Sequence, residues 1–209
     1  MPFTLPQLLR CRPYLLHLTA ASNLSSIIRT RELRCANAFL SGAGLDTRSS
    51  ERRLEHLTIQ ASEGVALLRD QKPLIEGAIA FEEGWDLARF VQYVNQHVFF
   101  WPCRKSGPMD PGMNHFERYH SERPVLLRFP TASIAAANLR FSRYNSGAPR
   151  CSGGKCSPRG GNTYLPAVDF EGTASEVVEV VVVGACALPR NAEVSDNPAG
   201  PWQLLQRTR

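Results

Sequence analysis

The sequence lacks several features that would assign it to a common class of protein. No apolar run reaches the roughly 20 residues that a membrane-spanning helix needs, and the longest, Val177 to Leu188, has the length of a buried strand. A secretory signal has an uninterrupted apolar stretch, whereas Arg10, Arg12 and Pro13 interrupt the N-terminal segment. We therefore expect a cytoplasmic protein with no membrane partner.

Two nucleotide-binding signatures are also missing. No predicted strand runs into Gly-x-Gly-x-x-Gly, which disfavours a dehydrogenase of the Rossmann type. Gly153-Gly154-Lys155 lacks the first glycine of a phosphate-binding loop and the strand that should precede it. A nucleotide site in this chain must therefore be built in another way.

The six cysteines do not form a recognisable framework. They are scattered along the chain, so we expect free thiols in a reducing compartment. Four residues separate Cys151 from Cys156, and this spacing fits no common zinc pattern closely. With His115 and His120 they supply four side chains of the kind that bind zinc. A zinc-stabilised interaction module is thus an alternative, although we predict no metal.

Positive charge is abundant and comes almost wholly from arginine. The net charge is +5, and lysine occurs only at 72, 105 and 155, so arginine supplies 21 of the 24 cations. Arginine binds phosphate groups in a bidentate manner, which favours a polyanionic partner. A genome rich in G and C would give the same excess of arginine. Charge alone therefore identifies no partner.

Local patterns predict short strands and helices without a linker between two domains. We predict strands over residues 14–19, 98–101, 125–129 and 176–187, and helices from Leu24 and over 50–66, 86–95 and 131–137. The last strand is almost wholly β-branched, which is typical of the middle of a sheet. This order predicts an α+β domain over residues 1–190, followed by a loosely attached tail over 191–209.

Short motifs stand in a specific order across residues 14 to 190. They are His-Leu-Thr then Asn-Leu-Ser-Ser-Ile-Ile at 17–28, Leu-Arg-Asp-Gln-Lys-Pro-Leu at 68–74, Val-Phe-Phe-Trp-Pro at 98–102, Arg-Tyr-Asn-Ser-Gly-Ala at 143–148 and the glutamate-bearing strand at 176–183. In this order the chain resembles the DarT-type ADP-ribosyltransferases and a related group of bacterial domains. The resemblance implies a single domain with the ADP-ribosyltransferase-like fold, a split mixed sheet with flanking helices.

The resemblance implies an enzyme that transfers ADP-ribose from NAD, which is a substrate, to a nucleic acid or a protein. Cleavage of the nicotinamide–ribose bond develops positive charge on the ribose, and a carboxylate can stabilise that charge. Glu179 is the predicted catalytic carboxylate, and Glu176 remains the alternative. Arg69 matches an arginine that takes part in the reaction of DarT-type enzymes.

The resemblance also implies which residues bind the cofactor. His17 matches the histidine that binds a hydroxyl of the adenosine ribose, and Thr19 and Asn23 follow it in the same motif. The aromatic strand offers Phe100 and Trp101 for stacking on nicotinamide, and Trp101 lies next to the following loop.

A glycine-rich stretch over residues 144–164 precedes the predicted catalytic strand, where enzymes of this kind present the acceptor. The predicted acceptor-binding residues are Arg143, Asn145, Ser146, Arg150 and Arg159. Nucleic acid, with DNA bases preferred, is the first acceptor that we expect, and a protein is the second. As a toxin or phage-defence effector, the enzyme would have an antitoxin or a hydrolase as a further partner.

Two features depart from the DarT-type pattern. The 86–95 helix is an insertion before the aromatic strand, and the Tyr-Phe-Pro-Arg-Ser style of continuation after that strand is missing. Both departures affect the prediction of the acceptor more than that of the cofactor. A non-catalytic, arginine-rich nucleic-acid-binding domain therefore remains an alternative function.

Overall fold

The computed structural model describes residues 3–61, 64–105, 107–135, 137–145 and 157–206, which form helices and a large sheet. The helices are α1 (Leu5–Cys11), α2 (Leu24–Thr30), α3 (Ala36–Gly42), α4 (Leu87–Val94) and α5 (Asp110–Tyr119). The strands are β1 (Tyr14–Thr19), β2 (Glu32–Arg34), β3 (Leu57–Ala61), β4 (Gly64–Leu68), β5 (His97–Arg104), β6 (Gly107–Pro108), β7 (Val125–Pro130), β8 (Leu139–Ser142), β9 (Leu165–Pro166), β10 (Glu179–Val183), β11 (Ala185–Ala187), β12 (Glu193–Ser195) and β13 (Gln203–Leu204). The predicted α+β class is confirmed.

One nine-stranded sheet organises the molecule. Its strands follow the order β13-β12-β7-β1-β5-β10-β8-β9, with β6 attached to β5. Every pair of neighbouring strands in it runs antiparallel. The prediction of a mixed sheet is therefore wrong, because a mixed sheet needs at least one pair of neighbours that run in the same direction.

Strand β5 changes partner halfway along its length. Its first half, residues 97–100, pairs with β10, and the register with β1 covers only Trp101 to Cys103. Beyond Leu16, the residues of β1 continue to pair with β7 but no longer with β5. The sheet therefore opens between the end of β1 and the beginning of β5.

Alternation along the strands separates the two faces of the sheet. Phe100 and Val180 belong to the main hydrophobic cluster on one face. Trp101 packs with Phe116 of α5 on the other face, where Val181 packs with Phe90 of α4. Since successive side chains of a strand point to opposite faces, α4 and α5 cover the face that carries Trp101.

Residues 50–66 do not form the predicted helix. Leu57–Ala61 and Gly64–Leu68 instead pair as an antiparallel hairpin. Ile59 and Leu68 are buried against Leu40 of α3. A hairpin satisfies its backbone hydrogen bonds locally and buries one face, which outweighs the weak helical stripe of the sequence.

The predicted strand over residues 176–187 consists of three parts. Ala174–Glu176 is a turn of 3₁₀ helix, and β10 begins only at Glu179. Gly184 then adopts φ 76°, a left-handed conformation that favours glycine, and separates β10 from β11. Strand β11 leaves the large sheet and pairs with β2.

Residues 191–206 are not loosely attached, so the prediction of a loose tail is wrong for this part of it. Strand β12 pairs with β7, and β13 pairs with β12. Arg128 of β7 donates a hydrogen bond to Glu193 at 2.6 Å and lies 4.3 Å from the ring centroid of Trp202. The burial of Leu205 completes the attachment. No helix among the described residues is long and apolar enough to cross a membrane.

Candidate functional site

A cavity of about 260 Å³ lies where β1 and β5 separate. One side is the sheet floor, which we define as His17, Phe99, Trp101 and Glu179. The opposite side is the hairpin wall, which we define as β4 with Arg53 and residues 69–71. Of the predicted site residues, those that line this cavity are His17, Thr19, Asn23, Arg69, Trp101, Asn145 and Glu179.

His17 is held in the neutral form with one nitrogen available to a ligand. Its Nδ1 lies 2.9 Å from the carbonyl oxygen of Phe99. The backbone of β1 does not pair with Phe99, because the register between β1 and β5 ends at Trp101. Because a carbonyl can only accept, Nδ1 carries the proton and Nε2 is an acceptor. Burial lowers the pKa of His17 to about 4. At neutral pH its Nε2 can therefore accept a hydrogen bond from a hydroxyl group.

Glu179 is a buried carboxylate at the first residue of β10. It is only 2% exposed and stands opposite Ser142 of β8. Burial lowers the pKa of the neighbouring Arg159, and the charge of Glu179 acts on that pKa in the opposite direction. Glu176, the alternative carboxylate, is exposed in the 3₁₀ turn and accepts a hydrogen bond from the backbone N–H of Thr173 at 2.7 Å. Of the two, only Glu179 lines the cavity.

The aromatic strand presents Phe99 and Trp101 to the cavity, but not Phe100. Phe100 is fully buried in the main cluster on the other face of the sheet. Successive residues of a strand alternate, so Phe100 and Trp101 cannot both face the same ligand. Among the three rings, the candidates for stacking on a bound ring are therefore Phe99 and Trp101.

Asn23 positions the hairpin wall rather than presenting its amide to the cavity. Its Oδ1 accepts a hydrogen bond from the N–H of Leu67 at 2.8 Å, and its Nδ2 donates to the carbonyl of Leu67 at 3.0 Å. Nδ2 also donates to Oγ1 of Thr19 at 3.2 Å. The amide thus joins the end of β1 to β4 and fixes the width of the cavity.

Arg69 links the hairpin wall to α5. One guanidinium nitrogen donates a hydrogen bond to the Glu122 carboxylate, and another donates to the carbonyl of Thr19 at 3.4 Å. The guanidinium also lies 4.2 Å from the ring centroid of Tyr119. The contact with Glu122 offsets much of its charge, so Arg69 is a weaker anion ligand than its position suggests.

The predicted acceptor residues are divided in the structure. Asn145 lines the cavity, whereas Arg143 is exposed outside it beside the ring of Phe170. Arg159 is buried, and its guanidinium lies 4.4 Å from the ring centroid of Tyr144. Ser146 and Arg150 lie outside the described residues.

His97 and His115 also line the cavity. The sequence motifs did not identify either of them as a ligand-binding residue. Nδ1 of His97 donates to the carbonyl of Tyr93 at 2.8 Å, and burial lowers its pKa to about 4. The ring centroid of His115 lies 4.4 Å from that of Trp101, and burial lowers its pKa to about 3. His97 shares the cavity-facing alternation of Phe99 and Trp101 on β5, a signal that could have identified it. His115 lies on α5, where the sequence gives no comparable signal.

The zinc alternative has no support from the part of the chain that the structure describes. Cys151 and Cys156 lie outside the described residues. Among the described residues, no group of three or more His, Cys, Asp or Glu side chains could hold a metal ion.

A family model matches residues 13–191, and its description is "Family of unknown function (DUF7002)". The chain therefore belongs to this family. The matched range begins just before β1 and ends beyond β11, so it contains every residue that lines the cavity. No curated protein and no solved structure matches the chain.

Proposed function

We propose that this protein is an NAD-dependent ADP-ribosyltransferase with its active site in the cavity between β1 and β5. The observation that carries the proposal is the shared lining of one cavity by His17 and Glu179. A buried carboxylate can stabilise the nicotinamide ribose as it develops positive charge, and a neutral hydrogen-bond acceptor can bind a hydroxyl of the adenosine ribose. The resemblance to the DarT-type enzymes, with the opening in the sheet, supports the same fold and activity.

Each side of the cavity has its own part in this reaction. His17 Nε2 accepts a hydrogen bond from a ribose hydroxyl and orients the dinucleotide. Glu179 stabilises the positive charge as the bond from the ribose C1′ to nicotinamide breaks. Nicotinamide leaves with the bonding electrons, the acceptor forms the new bond to C1′, and the acceptor releases its proton. Trp101 and Phe99 supply the flat apolar surface against which an aromatic ring packs.

The direct test is incubation of the protein with labelled NAD and separate pools of DNA, RNA and protein. We expect label on one pool and free nicotinamide in an equal amount. In parallel, saturating NAD should raise the melting temperature, because a ligand that binds only the native state stabilises it. An unchanged melting temperature with no calorimetric signal would show that the cavity does not bind NAD.

For the acceptor we propose a nucleic acid, with single strands modified before duplexes. An enzyme that modifies a base needs that base unstacked, and a single strand avoids the cost of extrusion. Arg118 is exposed on α5 and lines the cavity, so it can contact the phosphate backbone of such a strand. Arg118→Gln should weaken oligonucleotide binding and reduce its dependence on salt, whereas Arg190→Gln, at an exposed position that does not line the cavity, should not. Label found only on protein would contradict this choice.

A further inference from the structure

Arg53 is a cation on the hairpin wall that forms no ion pair with an acidic side chain of the described part of the chain. It precedes β3 and lines the cavity together with Asn95 and Gln71. Among the described residues, no ion pair joins its guanidinium to a carboxylate. Arg69, the other arginine of this wall, does pair with Glu122.

Neutral acceptors hold the Arg53 guanidinium in place. Its Nε donates to the carbonyl of Arg69 at 2.9 Å, and its Nη1 donates to Oδ1 of Asn95 at 3.0 Å. Asn95 is itself fixed, because it accepts from Nε2 of Gln71 at 3.1 Å and donates to the carbonyl of Ser49 at 2.8 Å. The cation is therefore positioned without being neutralised, and its Nη2 makes no hydrogen bond to a described residue.

The guanidinium remains charged despite its burial. Burial lowers the pKa of Arg53 to about 10, and the neighbouring Arg48 acts in the same direction, so the group stays protonated at neutral pH. Asp70 opposes this shift from a distance, while its carboxylate contacts His56 at 3.3 Å. Arg53 is half-buried, and a partly buried charge without an ion-pair partner carries a desolvation cost that a bound anion would offset.

We propose that Arg53 is an anion subsite of the cavity, where its guanidinium binds the oxygens of a phosphate or diphosphate group of the ligand. The identity of that ligand rests on the proposed function, which offers two sources of the same chemistry. One source is the diphosphate of NAD, and the other is a backbone phosphate of a nucleic-acid acceptor. Guanidinium binds both through paired N–H···O bonds, and hydrogen bonds of this charged kind are stronger than neutral ones.

The test compares Arg53→Gln with a matched control, Arg52→Gln. Arg52 is the adjacent arginine and also donates to neutral acceptors, the carbonyls of Gln71 and Lys72, but it does not line the cavity. Calorimetry with each protein should use ADP-ribose, inorganic diphosphate, nicotinamide and a single-stranded oligonucleotide. Arg53→Lys keeps the charge and serves where the glutamine variant folds poorly.

We expect Arg53→Gln to raise the Kd of ADP-ribose and of inorganic diphosphate by about ten- to a hundredfold, the effect of losing a charged hydrogen bond. Nicotinamide binding should stay unchanged, whereas a structural defect would weaken all ligands alike. Arg53→Lys should retain part of the affinity, and Arg52→Gln all of it. A loss confined to the oligonucleotide would assign the subsite to the acceptor phosphate instead.

Several outcomes would overturn the proposal. They are unchanged affinity for every phosphate-bearing ligand in Arg53→Gln, an equal loss in Arg52→Gln, an equal loss for nicotinamide, and a wild-type protein that binds none of the phosphate ligands. The proposed function is tested separately by transfer of label from NAD. Wild-type protein that binds ADP-ribose through Arg53 but transfers nothing would contradict the enzyme and leave the subsite standing.

Discussion

The sheet floor and the hairpin wall of the cavity hold their polar groups by different means. On the floor, His17 and Glu179 are fixed by strands of the large sheet, and the two side chains carry no positive charge at neutral pH. On the wall, Arg53 and Arg69 are cations fixed by hydrogen bonds from their side chains to neighbouring carbonyls. In the proposed function, the floor therefore carries the reaction chemistry, and the wall binds the charged groups of the ligand.

The largest expected effect is a loss of transfer activity, and we expect it from Glu179→Gln on the sheet floor. The variant keeps the shape of the side chain but removes the charge that stabilises the ribose in the proposed reaction, so transfer should fall by at least about a hundredfold. Turnover of labelled NAD gives the measurement, and circular dichroism should show an unchanged fold. NAD binding should persist, since the wall is intact.

The matched control is Glu176→Gln, at the exposed carboxylate of the 3₁₀ turn. Its transfer rate should stay close to that of the wild type. If Glu176→Gln loses activity and Glu179→Gln keeps it, the catalytic carboxylate is Glu176, and the floor as defined here has no catalytic charge.

The second expected effect is a loss of stability when the hydrogen bonds between the end of β1 and the hairpin wall are removed. Asn23→Ala removes both hydrogen bonds to the backbone of Leu67 and leaves the N–H of Leu67 without this acceptor. We expect a loss of about 1 to 3 kcal/mol in the free energy of unfolding, measured by urea denaturation. The exposed Asn162 is the control, and its alanine variant should change stability by less than about 0.5 kcal/mol. Equal losses in the two variants would mean that Asn23 does not join β1 to β4.

A smaller effect on ligand binding is expected from His17→Asn. Asparagine can still donate to the carbonyl of Phe99 from near the position of Nδ1, but it has no acceptor at the position of Nε2. The Kd of NAD should rise about tenfold, the worth of one hydrogen bond. His120→Asn, on an exposed residue outside the cavity, should leave the Kd unchanged. Wild-type affinity in His17→Asn would exclude His17 as a ligand-binding residue.

The floor could largely be predicted from the sequence, because its residues belong to long apolar strands. The β-branched run placed Glu179 at a central strand, and Tyr14–Thr19 placed His17 on another. What the sequence does not contain is the pairing register. The register decides that Phe99, not Phe100, faces the cavity.

The wall was harder to predict, since the position of Arg53 in it depends on side-chain hydrogen bonds rather than on an apolar pattern. The sequence predicted a helix over residues 50–66, whereas β3 and β4 form a hairpin, and Arg53, which precedes β3, donates a hydrogen bond to Asn95. Asn95 lies more than forty positions away, and such a partner leaves no periodic signal in the sequence. For the same reason, the attachment of β12 to β7 could not be recognised.

The smallest expected effect is on the pH dependence of the free energy of unfolding, and it tests whether the histidines that line the cavity are neutral. The pKa of His97 is about 4 in the folded protein and 6.5 in the absence of burial. Between these values the unfolded chain binds more protons, so the free energy of unfolding should fall as pH falls from about 6.5 to about 4. His17 and His115 have lowered pKa values and should act in the same direction.

His97→Phe keeps the ring packing, and the carbonyl of Tyr93 still accepts from the N–H of Gln96. Its stability should therefore fall less steeply, by about 1 kcal/mol per pH unit at most. Urea denaturation at pH 7, 6 and 5 measures both slopes, with the exposed His120→Gln as a control that should follow the wild type. Identical slopes for His97→Phe and the wild type would mean that His97 is protonated as readily in the folded protein as in the unfolded chain.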